Sequence, residues 1–302
     1  MIDEIRTEGD PPIPLWLDVR DPAESELNEL GERYRLHPAL VADCLDPFHL
    51  PKHEQAGDVT FLIVRAFDAS APRAETSIQG LTHEVAVFLG NRFLITAHHG
   101  DQRFLEPTLR KYRTSDEPVY LLVVMLEVLM AAVETYNAPL EDAENQIHAF
   151  EAAILTDDRN AAHWEAIFRT QTRLTVIKRM LWHTLSAVQR FVPRSDRNLA
   201  LCQDLRERIE SLAFFADNLL EDLRNLLAVQ LSLSANDTND AMRTLAMYSV
   251  FFLPLSFIAG VYGMNFQHIP ELRWQYGYLA VWVAMASVSL ALWRWFKKKR
   301  WL

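Results

Sequence analysis

Cysteine is scarce: Cys44 and Cys202 stand alone among 302 residues. That excludes a disulfide framework and a cysteine-rich zinc site. Glycine is thin, and none occurs between Gly100 and Gly260. The only prolines in that interval are Pro107, Pro118, Pro139, Pro193 and Pro254. A stretch so poor in both residues favours long helices. Acid is nearly missing from the carboxyl end, where Glu271 is the one carboxylate after Met242. Arg243 to Leu302 therefore carries +6, and Met1 to Met242 carries −16. A chain with a net charge of −10 is not built to bind nucleic acid. It holds no phosphate-cradling glycine loop, nucleophile elbow or triad order, so it reads as no enzyme. No basic start runs into an apolar core at the amino terminus, so a cleaved secretory signal is not expected. At roughly 150 residues per domain, the length suggests one or two units.

What is present at the carboxyl end is a membrane hairpin. Thr244 to Pro270 contains no charged residue across 27 positions, and Trp274 to Trp293 contains none across 20. A bilayer core of roughly 30 Å needs about 20 helical residues, so both segments can span. Lys297 to Arg300 follow the second directly and place the carboxyl terminus in the cytoplasm. Two spans return the amino-terminal part to the same side. Trp274, Tyr276 and Tyr278 at one end, and Trp293, Trp295 and Trp301 at the other, fit two interfacial belts. The competing reading is a pair of core helices in a soluble protein.

The remainder reads as a small α/β domain followed by long helices. Leu15–Val19, Val59–Phe67, Val85–Leu89 and Phe93–Ala97 have strand composition, and Gly90-Asn91 signals a hairpin. Ala23–Tyr34 and Pro38–Cys44 look helical. Long helices are expected over about Val119–Leu155, Ala161–Phe191 and Asn198–Gly260. The last would measure roughly 95 Å at 1.5 Å per residue and reads as a stalk that enters the membrane.

The stalk carries two patterned faces. Leu205, Ile209, Leu212, Ala216, Leu219, Leu223, Leu226, Gln230 and Leu233 alternate by four and three. Two readings stay open: a stripe packed on the other helices, or a seam between copies. Further on, Asn239, Met242, Ala246, Ser249, Leu253, Ser256 and Gly260 share a face that is small or polar, with Met242 and Leu253 as apolar members. Such a face suits helix packing or a water-lined path gated by dewetting. Pro254 leaves the Val250 carbonyl without its helical donor, which is tolerated where neighbours or water replace it.

After the first span stand Tyr262-Gly263-Met264-Asn265 and then Pro270-Glu271-Leu272. Together with Phe252 to Gly260, the closing Lys297 to Leu302, Leu36-His37-Pro38 and Pro51-Lys52-His53-Glu54, they give a chain that resembles the CorA family of divalent-cation channels along essentially its whole length. The resemblance implies an α+β protein. A cytosolic α/β domain and long stalk helices carry a carboxyl-terminal two-helix transmembrane hairpin, in a funnel-shaped homopentamer. Its parts would be residues 1–100 (α/β domain), 101–197 (antiparallel helices), 198–263 (stalk and first span), 264–276 (outer loop) and 277–302 (second span and basic tail). Gly263, Met264 and Asn265 would form the selectivity ring, with Glu271 at the mouth. Asn239, Met242, Leu245, Ser249, Leu253 and Ser256 would line and gate the pore. Asp204 and Asp68 would hold a cytosolic regulatory Mg2+ between protomers. Leu253 departs from the methionine frequent in the family, and so does Ile269.

The implied activity is potential-driven Mg2+ influx, with Co2+ or Ni2+ as further cargo, shut by cytosolic Mg2+. The implied partners are further copies of the chain and the lipid bilayer; the implied place is the inner membrane, with both termini cytoplasmic. A zinc transporter of the ZntB type, moving Zn2+, is the same-fold rival, and Met264 and Glu271 favour magnesium over it. A non-conducting membrane-tethered coiled-coil scaffold is the rival of another class. The histidines at 37, 49, 53, 98 and 99 lack metal-ligand spacing and read as surface or loop residues.

Overall fold

Strand β4 (Val59–Phe67) is buried at every position, as its largely apolar sequence, broken only by Thr60 and Arg65, suits in an interior strand. It pairs antiparallel with β3 (Lys52–Ala56) and with β5 (Thr82–Leu89). β6 (Leu94–His98) pairs antiparallel with β5 and parallel with β2 (Ile13–Arg20). β1 (Ile2–Glu8) closes the order β1-β2-β6-β5-β4-β3. The computed structural model describes residues 1–8, 13–46, 48–114, 119–155, 161–191, 196–264 and 274–299. Two units emerge, Met1–Leu226 and Leu227–Leu302.

One sheet face is covered by α1 (Glu24–Tyr34) and α2 (Pro38–Leu45). Leu27, Leu30, Leu40 and Val41 pack there on Leu17, Val19, Phe61, Ile63, Phe88 and Ile95. His37 explains the Leu36-His37-Pro38 motif: its Nδ1 accepts from the Ala39 N–H at 3.2 Å, and Pro38 fills the first helical position. The β5–β6 hairpin forms where expected, but its loop is Gly90–Phe93, closed by the Gly90 N–H on the Phe93 carbonyl at 2.9 Å.

The sequence alone does not announce β1, β3, the short α3 (Ile78–Leu81) or α4 (Glu106–Thr114). The long helix expected over Val119–Leu155 is two, α5 (Leu121–Glu134) and α6 (Asn137–Leu155). The break has an observable cause. Thr135 donates its hydroxyl to the Ala132 carbonyl and accepts the Phe67 N–H at 2.7 Å, while the buried Tyr136 donates to the Arg65 carbonyl at 2.8 Å. Pro139, lacking an N–H, sits in the first turn of α6, where none is needed. α7 (Ala161–Arg190) and α8 (Asp196–Tyr262) match their expected bounds within a few residues.

His98 corrects the expectation of a surface histidine. It is buried, with Nε2 3.3 Å from Asp18 Oδ2 and Nδ1 3.1 Å from the Gly100 carbonyl. Asp18 also accepts from the Thr96 hydroxyl at 2.5 Å, which ties β2 to β6 through side chains.

A second buried polar group sits on β4 and β5. Arg65 donates to the Thr82 hydroxyl, the Thr82 carbonyl and the His49 carbonyl, and lies 3.3 Å from Glu84 Oε2. Burial pushes Glu84 up to about 8 against the pull of Arg65. Its folded value lies above its unfolded one. The folded state therefore holds the extra proton between about pH 4.5 and 8, and stability is lost as pH rises through that window. Glu84→Gln should flatten this loss, so that the variant gains on the parent in thermal midpoint from pH 5 to pH 8. Circular dichroism melts of the full-length protein in detergent check this, and parallel curves would contradict it.

Candidate functional site: the exposed face of the long helix

The two faces of α8 meet different fates. In the first unit, Leu205, Ile209, Leu212, Ala216, Leu219 and Leu223 are all buried within the one chain. This part of the heptad is thus a core stripe, and Cys202, Ala213 and Leu220 widen it to the breadth a globular helix buries. Beyond it the burial ends: Leu226 and Gln230 are half-buried and Leu233 is exposed.

In the second unit, α8 keeps one half-buried stripe, made of Arg243, Met247, Phe251, Pro254, Leu255 and Ile258. Its partner is α9 (Gly277–Lys298), where Phe296 is buried and stacks on Phe251 with ring centroids 5.5 Å apart. Asn239, Met242, Leu245, Ala246, Ser249, Leu253, Ser256 and Gly260 are all exposed. At 100° per residue their mean direction lies about 150° around the helix from the half-buried stripe. The polar and small face therefore points away from α9, which leaves it open to another partner or to water. Met242, Leu245 and Leu253 are 65%, 63% and 71% exposed, but Phe252 and Phe257 elsewhere on the span are similarly exposed, so it is the polar and small neighbours that set this face apart.

The polar members have chemistry to offer. Ser249 donates its hydroxyl to the Leu245 carbonyl at 2.9 Å, so its oxygen lone pairs remain for a donor such as bound water. Pro254 is accommodated without ending the helix, which continues to Tyr262. At the end of α8 the Gly263 N–H bonds the Ala259 carbonyl at 2.9 Å and the Met264 N–H bonds that of Val261 at 3.3 Å. A Cβ on Gly263 would stand 3.0 Å from the Ala259 oxygen, a tight approach that glycine avoids. Asn265 and Glu271 lie outside the described residues.

Among the described residues, three helical stretches are long and apolar enough to cross a membrane. The one over Leu121–Ile154 is excluded by packing, since Val124, Met125, Val128, Ala132 and Val133 are completely buried in the first unit. The other two, in α8 and α9, have almost no buried surface, as lipid-facing helices require. Trp274 packs edge-on to Tyr276 before α9, and Lys297 Nζ lies 5.2 Å above the Trp293 ring at its far end.

The expected regulatory carboxylates are separate features within one chain. Asp204 is exposed on α8. Asp68 is half-buried after β4, accepting from the Ser70 N–H at 2.8 Å and the Ser70 hydroxyl at 2.6 Å, with His83 Nε2 3.1 Å away. Partial desolvation opposes its charge, but the Ser70 bonds and His83 outweigh it and hold the carboxyl below its ordinary range. Among the described residues no three His, Cys, Asp or Glu side chains converge on a metal position. His83 escapes sequence reading because β5 begins three residues before the expected Val85. With the strand extended to Thr82, the register sets His83 opposite Ala66, two residues before Asp68.

A family model described as CorA-like Mg2+ transporter protein matches residues 13–298. The cobalt/magnesium transport protein CorA of Thermotoga maritima is 26% identical over 308 residues, covering 97% of this chain and 85% of that protein. A putative metal ion transporter of Bacillus subtilis, YfjQ, is 27% identical, covering 95% and 89%. Among solved structures, the complete CorA magnesium transporter from Methanocaldococcus jannaschii superposes with a TM-score of 0.78 at 20% identity, over 95% of this chain and 91% of that one. The cytoplasmic domain of ZntB from Vibrio parahaemolyticus gives a TM-score of 0.61 at 12% identity, over 73% and 88%.

Proposed function

From the premise that the chain belongs to the CorA-like Mg2+ transporter family, we propose that it conducts hydrated Mg2+, and Co2+ with it, inward through a pore lined by α8. The carrying observation is the exposed row from Asn239 to Gly260, turned away from α9. Five copies around one axis would cover that row and convert it into the wall of a water-filled path. Met242, Leu245 and Leu253 then become apolar rings that close by dewetting, and Asn239, Ser249 and Ser256 become rings that hydrate a passing ion. Gly263, Met264 and Asn265 stand at the outer entrance, with Glu271 raising the local cation concentration.

Mg2+ sheds water reluctantly and prefers octahedral oxygen. Neutral amide and hydroxyl oxygens suit the hydrated ion, because they accept hydrogen bonds from its shell without trapping it. The driving force needs no nucleotide: a divalent ion crossing 100 mV, negative inside, gains roughly 4.6 kcal/mol. Both termini then lie in the cytoplasm of a cell whose inner membrane holds the hairpin. The Zn2+ reading has weaker support: the ZntB cytoplasmic domain matches in fold at 12% identity.

Closure by cytosolic Mg2+ follows if Asp204 of one protomer and Asp68 of the next share the ion. Two acidic surfaces of a −16 region repel unless a cation bridges them. Asp204→Asn removes one ligand charge from that contact without placing a fixed cation there. It should leave conduction intact while raising the internal Mg2+ needed for half-closure by about tenfold. Flux into proteoliposomes loaded with graded Mg2+ measures this, and unchanged inhibition removes Asp204 from the sensor.

A further inference from the structure

The cations of the second unit crowd at one end. Arg294, Lys297, Lys298 and Lys299 are exposed on the last turns of α9, and Arg300 follows in sequence. Arg243 lies on the α8 stripe about two turns before Phe251, the residue that meets Phe296, and so belongs to the same end. At the opposite end the sequence offers Glu271 and Arg273, which cancel.

The surroundings indicate what the lysines meet. Trp293 and Trp295 are 45% and 48% exposed at the level of the charges, where indole rings sit among lipid headgroups. Lys297 Nζ lies over the Trp293 ring, 5.2 Å from its centroid, so cation and indole occupy the same level of the helix end. No acidic side chain of the described residues is bonded to Lys297, Lys298 or Lys299 in any ion pair within 4.0 Å.

We propose that Arg294 and Lys297–Lys299, with Trp293 and Trp295, form a binding surface for anionic phospholipid headgroups of the cytoplasmic leaflet. The ammonium groups pair with phosphate and the indoles hold the helix end at headgroup depth. Charge complementarity selects the lipid: a zwitterionic headgroup brings no net charge to four adjacent cations, whereas phosphatidylglycerol brings one each. The rival occupant is the acidic surface of the first unit, and the experiment separates the two.

Full-length protein is reconstituted with phosphatidylcholine containing graded brominated phosphatidylglycerol, or with brominated phosphatidylcholine as the reference. Bromine quenches the tryptophans it touches, which gives a relative binding constant. The parent should prefer phosphatidylglycerol about fivefold at low salt, and the preference should fall towards one in 0.5 M salt as screening shortens (about a 4 Å Debye length). The variant Lys297→Gln/Lys298→Gln/Lys299→Gln should lose the preference. The variant with arginine at all three positions should keep it, and so shows that any loss is of charge and not of folding or orientation. No preference in the parent overturns the proposal. So does a preference retained by the glutamine variant, or a glutamine variant destabilised equally in both lipids, which assigns the lysines to the acidic protein surface.

Discussion

Asn265→Ala should cut potential-driven Mg2+ uptake by about tenfold or more while the protein still assembles. The size of the effect follows from the ion. A hydrated dication presents water hydrogens outward, and it needs acceptors at the outer entrance to replace the bulk water it leaves. In the proposed pore the amide oxygen of Asn265, which follows Gly263 and Met264 in sequence, would supply one acceptor per copy. Alanine supplies none, and a methyl ring offers the hydration shell nothing in return. The substitution leaves every residue of the buried stripe of the first unit and of the Phe251–Phe296 stack unchanged. Size-exclusion profiles should match those of the parent. Normal uptake by the alanine variant would return the chain to the scaffold reading.

The second large effect concerns Ser249, in the middle of the exposed row. A thiol there should become a handle for blocking the path: Ser249→Cys should conduct, and a bulky cationic thiol reagent should then remove most of the flux. The background favours this test. Both natural cysteines are buried; burial pushes Cys44 up to about 12 and raises Cys202 as well, so neither offers a reactive thiolate. The control position is Val283, 58% exposed on α9. If the α8 row faces water and α9 faces lipid, a thiol at 283 meets no aqueous reagent and its modification blocks nothing.

Much of this architecture is legible in residues because the membrane imposes a coarse and absolute rule. Charge-free runs of 27 and 20 residues, ended by four basic residues, admit few structures. The long α8 is equally plain, since no glycine interrupts the chain from Gly100 to Gly260. The division of α5 from α6 is harder. It depends on Thr135 and Tyr136 bonding to the β4 backbone at Phe67 and Arg65, nearly 70 residues away, and only Pro139 hints at it locally. β3 is hidden for a different reason: Lys52, His53, Glu54 and Gln55 have no strand composition, and the pairing with β4 draws them in. The heptad is the most instructive case. Its spacing cannot tell a core stripe from a seam between copies; the burial of Leu205 through Leu223 within one chain makes that part a core stripe, while Leu233 is exposed.

The α8 row is also where sequence and structure reach different depths. The 3-4 spacing places Asn239 to Gly260 on one side, but it does not say which side α9 takes. That is supplied by the half-burial of Met247, Phe251, Leu255 and Ile258. Asp68 and Asp204, by contrast, are two separate carboxylates in one chain, and the joint role proposed for them would need neighbouring copies.

Mg2+ flux under a fixed potential, measured in proteoliposomes before and after thiol modification of Ser249→Cys, tests the central reading most directly. A water-lined row predicts near-complete block at 249 and none at Val283→Cys. Unblocked flux through a fully modified Ser249→Cys protein, or equal block at both positions, would contradict it.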